Sequence, residues 1–270
     1  MVYIRGDTHG NFSDTLLFCE KFGLTEKDTV VILGDAGLNF WISKRDKRTK
    51  RQLSGKKPTF FCIHGNHEKR PQNIDTYVTK EWNGGTVWYE PEYPNILFAK
   101  DGEIYNLDGK SCLVLGGAYS VDKYYRLYNF LLKTNVSDDV LLHLAKIVNP
   151  YSEESDTSVF DEMLKNLQND ELHWWSDEQI TDDMKKKIEN HIADIGKKVD
   201  VIFSHTCPKK YIPQEALLKG LNQATVDNTM EEWLDKIEET IKYDAWYCGH
   251  WHIDKRIDKM HFLFNSVKSL

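Results

Sequence analysis

The sequence contains no run of 18 consecutive apolar residues, so no segment reads as a membrane-spanning helix. Its first residues, Met1-Val2-Tyr3-Ile4-Arg5-Gly6-Asp7, lack the basic start and apolar stretch of a secretory leader. Cysteine is sparse. Cys19, Cys62, Cys112, Cys207 and Cys248 are odd in number, widely spaced and form no Cys-x-x-Cys pair. Such a set argues against a disulfide framework and fits small buried side chains in a reducing compartment. The expectation is a cytoplasmic protein with no membrane partner. Seven prolines and 16 glycines in 270 residues are too few for a disordered or fibrous chain. A basic excess is also missing: the formal net charge is −7, which opposes an extended nucleic-acid footprint.

What is present is core material, with 40% hydrophobic and 12% aromatic residues, and a mild excess of histidine, ten in all. The length suits one large domain spanning residues 1–270. Five short apolar runs share one property. Val2-Tyr3-Ile4 leads into Gly6-Asp7-Thr8-His9, and Val30-Val31-Ile32-Leu33 into Gly34-Asp35. Phe60-Phe61-Cys62-Ile63 leads into His64-Gly65-Asn66-His67-Glu68, Val201-Ile202-Phe203 into Ser204-His205, and Trp246-Tyr247-Cys248 into Gly249-His250-Trp251-His252. Each run has the length and the β-branched or aromatic content of a buried strand.

Helical patterns lie between the runs. Ser13-Asp14 caps one candidate, Ser176-Asp177 a second carrying Met184, Ile188 and Ile192, and Met230 to Ile241 forms a third. The alternation predicts an α/β fold with at least one largely parallel sheet. Thr86–Tyr89, Ile96–Phe98, Glu103–Leu107 and Lys110–Leu115, with a hairpin turn at Asp108-Gly109, predict a second, more antiparallel sheet packed on the first. Lys44 to Lys57 holds eight Lys/Arg against one acid and reads as a solvated helix face or a basic rim. Residues 134–172 are acidic and weakly periodic, and read as an inserted excursion over the sheet edge rather than a domain.

Ligands in open α/β sheets bind beyond the carboxyl ends of the strands. If the five runs are neighbouring strands, they deliver Asp7, His9, Asp35, Asn66, His67, His205, His250 and His252 to one rim. A mixed set of carboxylate, imidazole and amide oxygen suits Mn, Fe or Zn better than Mg or Ca. Seven or eight groups exceed the needs of one ion; two ions sharing a carboxylate account for the surplus.

Asp7-x-His9, Gly34-Asp35, Gly65-Asn66-His67-Glu68, His205 and Gly249-His250-Trp251-His252 together resemble the calcineurin-like metallophosphoesterase superfamily. The resemblance implies a four-layer αββα sandwich of two mixed sheets flanked by helices, with the metal site at the C-terminal ends of the strands. It implies one metal held by Asp7, His9, His252 and Asp35. A second would be held by Asp35 again with Asn66, His205 and His250, while His67 would act on the phosphate without binding metal. Two divalent ions carry four positive charges and the two aspartates cancel two, so the site would be cationic in an acidic protein. A hydroxide bridging the ions, its parent water acidified from a pKa of 15.7 to about 7, would attack phosphorus in line.

The expected activity is therefore hydrolysis of a phosphate ester, by a phosphatase or a phosphodiesterase. The substrate could be a nucleotide or a phosphoprotein. A nuclease of the same superfamily and a catalytically silent metal-binding module are the alternatives. The stretch from Gly34 to Trp41 lacks the Asp and Arg that the phosphoprotein phosphatases carry after their Gly-Asp. Lys123 or Arg126, after Gly116-Gly117-Ala118-Tyr119, can supply the missing cation, with His173-Trp174-Trp175 covering the same rim or packing as a staple. His64 is expected to support the Asn66-His67 turn.

Overall fold

A computed structural model of the chain describes residues 1–167 and 172–270. The first sheet contains β1 (Val2–Arg5), β2 (Thr29–Ile32), β3 (Thr59–Cys62), β4 (Val78–Trp82), β5 (Gly85–Tyr89), β6 (Ile96–Ala99) and the last strand, β13 (Val267–Ser269), in the order β13-β1-β2-β3-β6-β5-β4. The second contains β7 (Ile104–Leu107), β8 (Lys110–Leu115), β9 (Val201–Ser204), β10 (Ala245–Cys248), β11 (Lys255–Ile257) and β12 (Met260–Phe262), in the order β11-β12-β10-β9-β8-β7. Both have a parallel centre, β1-β2-β3-β6 and β12-β10-β9-β8. Antiparallel strands close both edges.

The period of two along each strand builds four layers. Ile4, Val31, Leu33 and Phe61 point inward and meet Val114, Val201 and Phe203 of the other sheet. Ile32, Phe60 and Phe98 point outward onto Leu16 and Cys19 of α1 (Ser13–Lys21) and Leu53 of α2 (Lys44–Ser54). On the opposite outer face, Ile202 and Trp246 pack on Ile188 and Ile192 of α6 (Asp182–Asp194) and on Trp233, Leu234 and Ile237 of α7 (Thr229–Thr240). Buried on both faces, the central strands are apolar throughout, which is why they read as continuous runs. The fold is the αββα sandwich.

Three details differ from the sequence reading. The five runs are not neighbours in one sheet: β1, β2 and β3 belong to the first, β9 and β10 to the second. The middle strands do not form a sheet of their own either, because β5 and β6 complete the first and β7 and β8 the second. A buried strand shows the same pattern in either sheet, so periodicity alone cannot assign it. The Asp108-Gly109 hairpin is present, both residues having positive φ as a type I′ turn requires. The helix expected from Ser176-Asp177 starts later, at Asp182, with Thr181 capping the Met184 N–H. The carboxylate and carbonyl of Asp177 are engaged by Asn73 and Arg70 instead.

Helices α3 (Lys123–Leu131), α4 (Asp138–Val148) and α5 (Ser158–Leu167) form a unit with its own core of Tyr124, Leu127, Leu131, Leu144, Ile147, Phe160, Leu164 and Leu172. Each fully buried aliphatic or phenyl side chain there contributes about 1.5–3 kcal/mol. Part of the acidic excursion, residues 168–171, lies outside the described residues. The basic stretch is α2, whose Lys50 is buried against Glu90 at 2.5 Å, while Arg45 sits over the Trp41 ring.

Candidate metal centre

Although they come from two sheets, the five strand ends meet at one rim. Asp7 lies two residues past β1 and is buried, and its carboxylate accepts the His250 N–H at 2.9 Å. Asp35, three residues past β2 and 1% exposed, accepts the His67 N–H at 2.8 Å. Each carboxylate thus joins two strand-end loops. The loops approach so closely that a Cβ on Gly65 would collide with the Asp35 carboxylate, and one on Gly249 with that of Asp7.

The backbone around the rim is held in an unusual shape. His9, Asp35, His250 and His252 all have φ between 46° and 63°, the left-handed region that costs a non-glycine residue about 1 kcal/mol or more. Strain at four ligand-type residues turns their side chains to a common point. His205 is fully buried, and its Nδ1 donates to the Leu33 carbonyl at 2.8 Å, which leaves Nε2 facing the rim. That Nε2 lies 3.0 Å from Asn66 Oδ1 and 3.4 Å from Asp35 Oδ1. The Asn66 amide is set by its other end, because Nδ2 donates to Ser120 Oγ at 3.0 Å. Ser120 N–H in turn donates to the buried carboxylate of Glu178 at 3.2 Å.

Donor atoms of Asp7, His9 and His252 lie within 4.8 Å of one another, as do those of Asp7, Asp35 and His205. His9 Nε2 and His252 Nε2 face each other at 2.9 Å, and both approach the Asp7 carboxylate, at 3.8 and 3.2 Å. Such a convergence of lone-pair donors fits divalent cations: one outer group exposed on His9 and His252, one inner group buried on Asp35 and His205. The protonation equilibria express the same crowding. Burial opposes ionisation of Asp35, but His205, His67 and His9 outweigh it and hold the carboxyl well below its usual range. Burial works against protonation of His205 too, yet Asp35 and Asp7 raise it to about 9. His250, desolvated and next to His205, falls to about 3. Glu68, desolvated and close to Asp35, rises to about 8.

His67 stands at the edge of this group, its ring 5.5 Å from that of His9. Arg126 of α3 reaches it: Nη2 lies 2.9 Å from His67 Nδ1 and 3.4 Å from Nε2. The same guanidinium is held by Asp122 at 2.8 Å and by the His173 carbonyl. Lys123, the other candidate cation, is brought elsewhere. Its Nζ is paired with Asp161 at 2.9 Å and enclosed by the rings of Tyr119, Tyr124 and Trp174. Of the two, only Arg126 contacts His67. His64 backs the turn through its carbonyl, which accepts the Gly117 N–H at 2.7 Å, while its ring is buried without a hydrogen-bond partner.

Several participants escaped the sequence reading. Phe40 stacks on His173 at 4.6 Å and lies 5.9 Å from His67, and Trp41 packs edge-on to His173, so an aromatic lip borders the rim. Of the His173-Trp174-Trp175 stretch, His173 and Trp175 lie against Phe40 beside the rim, while Trp174 packs over Lys123 and against the core of the helical unit. Ser120 and Glu178 had no motif to mark them.

Two mixed sheets that present carboxylates and imidazoles at their parallel strand ends define an α/β protein built for divalent metal. More specifically, the chain belongs to the calcineurin-like phosphoesterase family, to which residues 2–254 of its 270 match. No curated protein matches the chain. Membership makes it a metal-dependent hydrolase of phosphate esters. No helix among the described residues is long and apolar enough to cross a membrane.

Proposed function

We propose that the chain is a dinuclear metal-dependent phosphomonoesterase, working as a single domain over residues 1–270 with the acidic insertion at about 134–172, which carries α4 and α5, packed on α3. The observation that carries the reading is the placement of His67 and Arg126, in contact at 2.9 Å, beside the two donor groups. In this reading Asp7, His9, His252 and Asp35 would hold one ion, and Asp35, Asn66, His205 and His250 would hold the other. When bound, the ions supply Lewis acidity toward the ester oxygens and acidify the attacking water.

The protein groups supply orientation and charge. A guanidinium can only donate, and Arg126 Nη2 lies nearer Nδ1, at 2.9 Å, than Nε2, at 3.4 Å, which favours the neutral His67 ring with its proton on Nε2. That N–H is then the donor for a phosphoryl or leaving-group oxygen. Arg126, held in place by Asp122 at 2.8 Å, would offer guanidinium N–H groups to a monoester dianion in place of the arginine missing after Asp35. Phe40, Trp41 and His173 give that side an aromatic border. A site that only bound metal for structural reasons would need neither group. The five free, buried cysteines support a reducing, cytoplasmic setting.

The test compares an aryl phosphomonoester with the corresponding bis-aryl diester on Mn-loaded protein. The expected result is turnover of both types with the monoester favoured. Preference for the diester would contradict the role given to Arg126, and no turnover of either would contradict the enzymatic reading.

A further inference from the structure

A cavity of about 670 Å3 opens on the rim, and its walls differ sharply from its floor. Asp35, Asn66, His67, His250 and His252 border it at the bottom. The rest of the lining is largely aliphatic and aromatic, with Leu217, Leu221 and Val226, from the segment between β9 and α7, together with Val121, Trp251 and Ile253. Two charged residues border the walls, and both are already engaged. Asp122 is paired with Arg126 at 2.8 Å and Lys209 with Glu232 at 2.7 Å. Of the other polar residues on the wall, Tyr119 donates its hydroxyl to the Thr225 carbonyl at 2.9 Å and Gln223 its Nε2 to the carbonyls of Leu218 and Leu221, while Gln214 is exposed to solvent and Asn228 is half-buried. A polar alcohol in this space would exchange its water for few partners, Gln214 and Asn228 among them, whereas an apolar one would gain by leaving water against the aliphatic walls.

We infer that the cavity holds the organic half of the substrate, and that the substrate is a phosphate ester of an apolar alcohol rather than of a sugar or a protein side chain. The inference rests on the phosphoesterase reading of the floor. His67 borders the same cavity, so an ester oxygen that takes its hydrogen bond leads directly into the apolar space. The segment that supplies Leu217 and Leu221 is thereby a specificity element.

The experiment measures kcat/KM on Mn-loaded protein for straight-chain alkyl phosphates from ethyl to octyl, with glycerol phosphate and a phosphoserine peptide as polar comparators. The leaving alcohols of the alkyl series differ little in acidity, so the series reports burial and not leaving-group chemistry. The expected result is a rise of about three- to fourfold per added methylene until the cavity is filled. The polar comparators should fall with ethyl phosphate or below it. Leu217→Asp and Leu221→Asp should each flatten the rise, with circular dichroism confirming the fold. If either variant does not fold, Leu221→Ala should still reduce the octyl-to-ethyl ratio. Leu142→Asp, on the exposed side of α4, should leave that ratio unaltered. A flat series, or a phosphoserine peptide preferred over octyl phosphate, overturns the inference while leaving the phosphoesterase reading intact. Loss of turnover on every ester, polar and apolar, overturns that reading and the inference with it.

Discussion

The strand-end rim and the helical unit formed by α3, α4 and α5 touch at His67 and Arg126, yet they are organised in different ways. In the rim every candidate ligand lies within a few residues of a buried strand, and Asp7 and Asp35 are 2% and 1% exposed. Its geometry is held by the sandwich core, by backbone forced into the left-handed region at four residues, and by carboxylates that cross-link neighbouring loops. The helical unit instead rests on a small core of its own, and its contacts with the rim are side-chain contacts through Arg126 and His173. Rigid parts can be fixed once and shared by many esters, while a separately packed unit can change a substrate contact without disturbing the metal ligands. The two regions should therefore respond differently to mutation.

The largest expected effect is in the rim. His67→Ala should lower kcat on an aryl phosphate about 10² to 10⁴-fold while metal content, read by elemental analysis, is unaltered. A parallel loss of metal would assign His67 to the ligand set instead. Next comes the helical unit's contribution. Arg126→Gln should reduce kcat/KM about 10- to 100-fold on the monoester, the worth of a charge-assisted contact, and distinctly less on the diester. Equal losses on both would remove the charge argument.

Lys123→Met is the companion experiment. Its ammonium is spent on Asp161 inside the small core, so the variant should unfold at lower urea concentration, by about 1–3 kcal/mol, without the monoester-selective loss of Arg126→Gln. A selective rise in KM for the monoester would return Lys123 to the substrate site.

A pH-dependent effect separates the sandwich core from both regions. Glu231 is buried, accepts the Thr206 hydroxyl at 2.8 Å, and is raised by burial to about 7. In the unfolded chain it ionises near 4.5, so between those values the native state holds the proton that the unfolded state has released. Its contribution to stability is present below pH 4.5 and is lost as pH rises through 7, on the order of 3 kcal/mol in all. Glu231→Gln should remove that part of the slope in urea titrations at pH 5 and pH 8. An unaltered slope would show that Glu231 ionises normally.

How far the sequence could be read follows the same division. The rim was legible because its information is local: Asp7, Asp35, His205 and His250 each follow an apolar run directly, and a turn after a buried strand carries its own signature. Assignment of the runs to sheets was not legible, since Phe203 faces the inter-sheet core just as Phe61 does, from the other side. Residues 134–172 looked weakly periodic because acids dominate the composition, although Leu144 and Ile147 on α4, and Phe160 and Leu164 on α5, carry the helical spacing. Arg126 could be named as a candidate only together with Lys123. The two are three residues apart on α3 and so point about 60° from each other on one helix face, and only packing decides which one meets His67. The contacts of Phe40 with His173, and of Glu178 with Ser120, join segments more than 50 residues apart and leave no local trace.

The central claim is that two ions share this rim, and stoichiometry tests it most directly. Protein purified without chelator and equilibrated with excess Mn should retain close to two ions per chain after desalting, and Asp35→Asn, which removes the proposed shared carboxylate, should retain fewer than one. A wild-type value of one or none, or an Asp35→Asn variant that still holds two, would contradict the account.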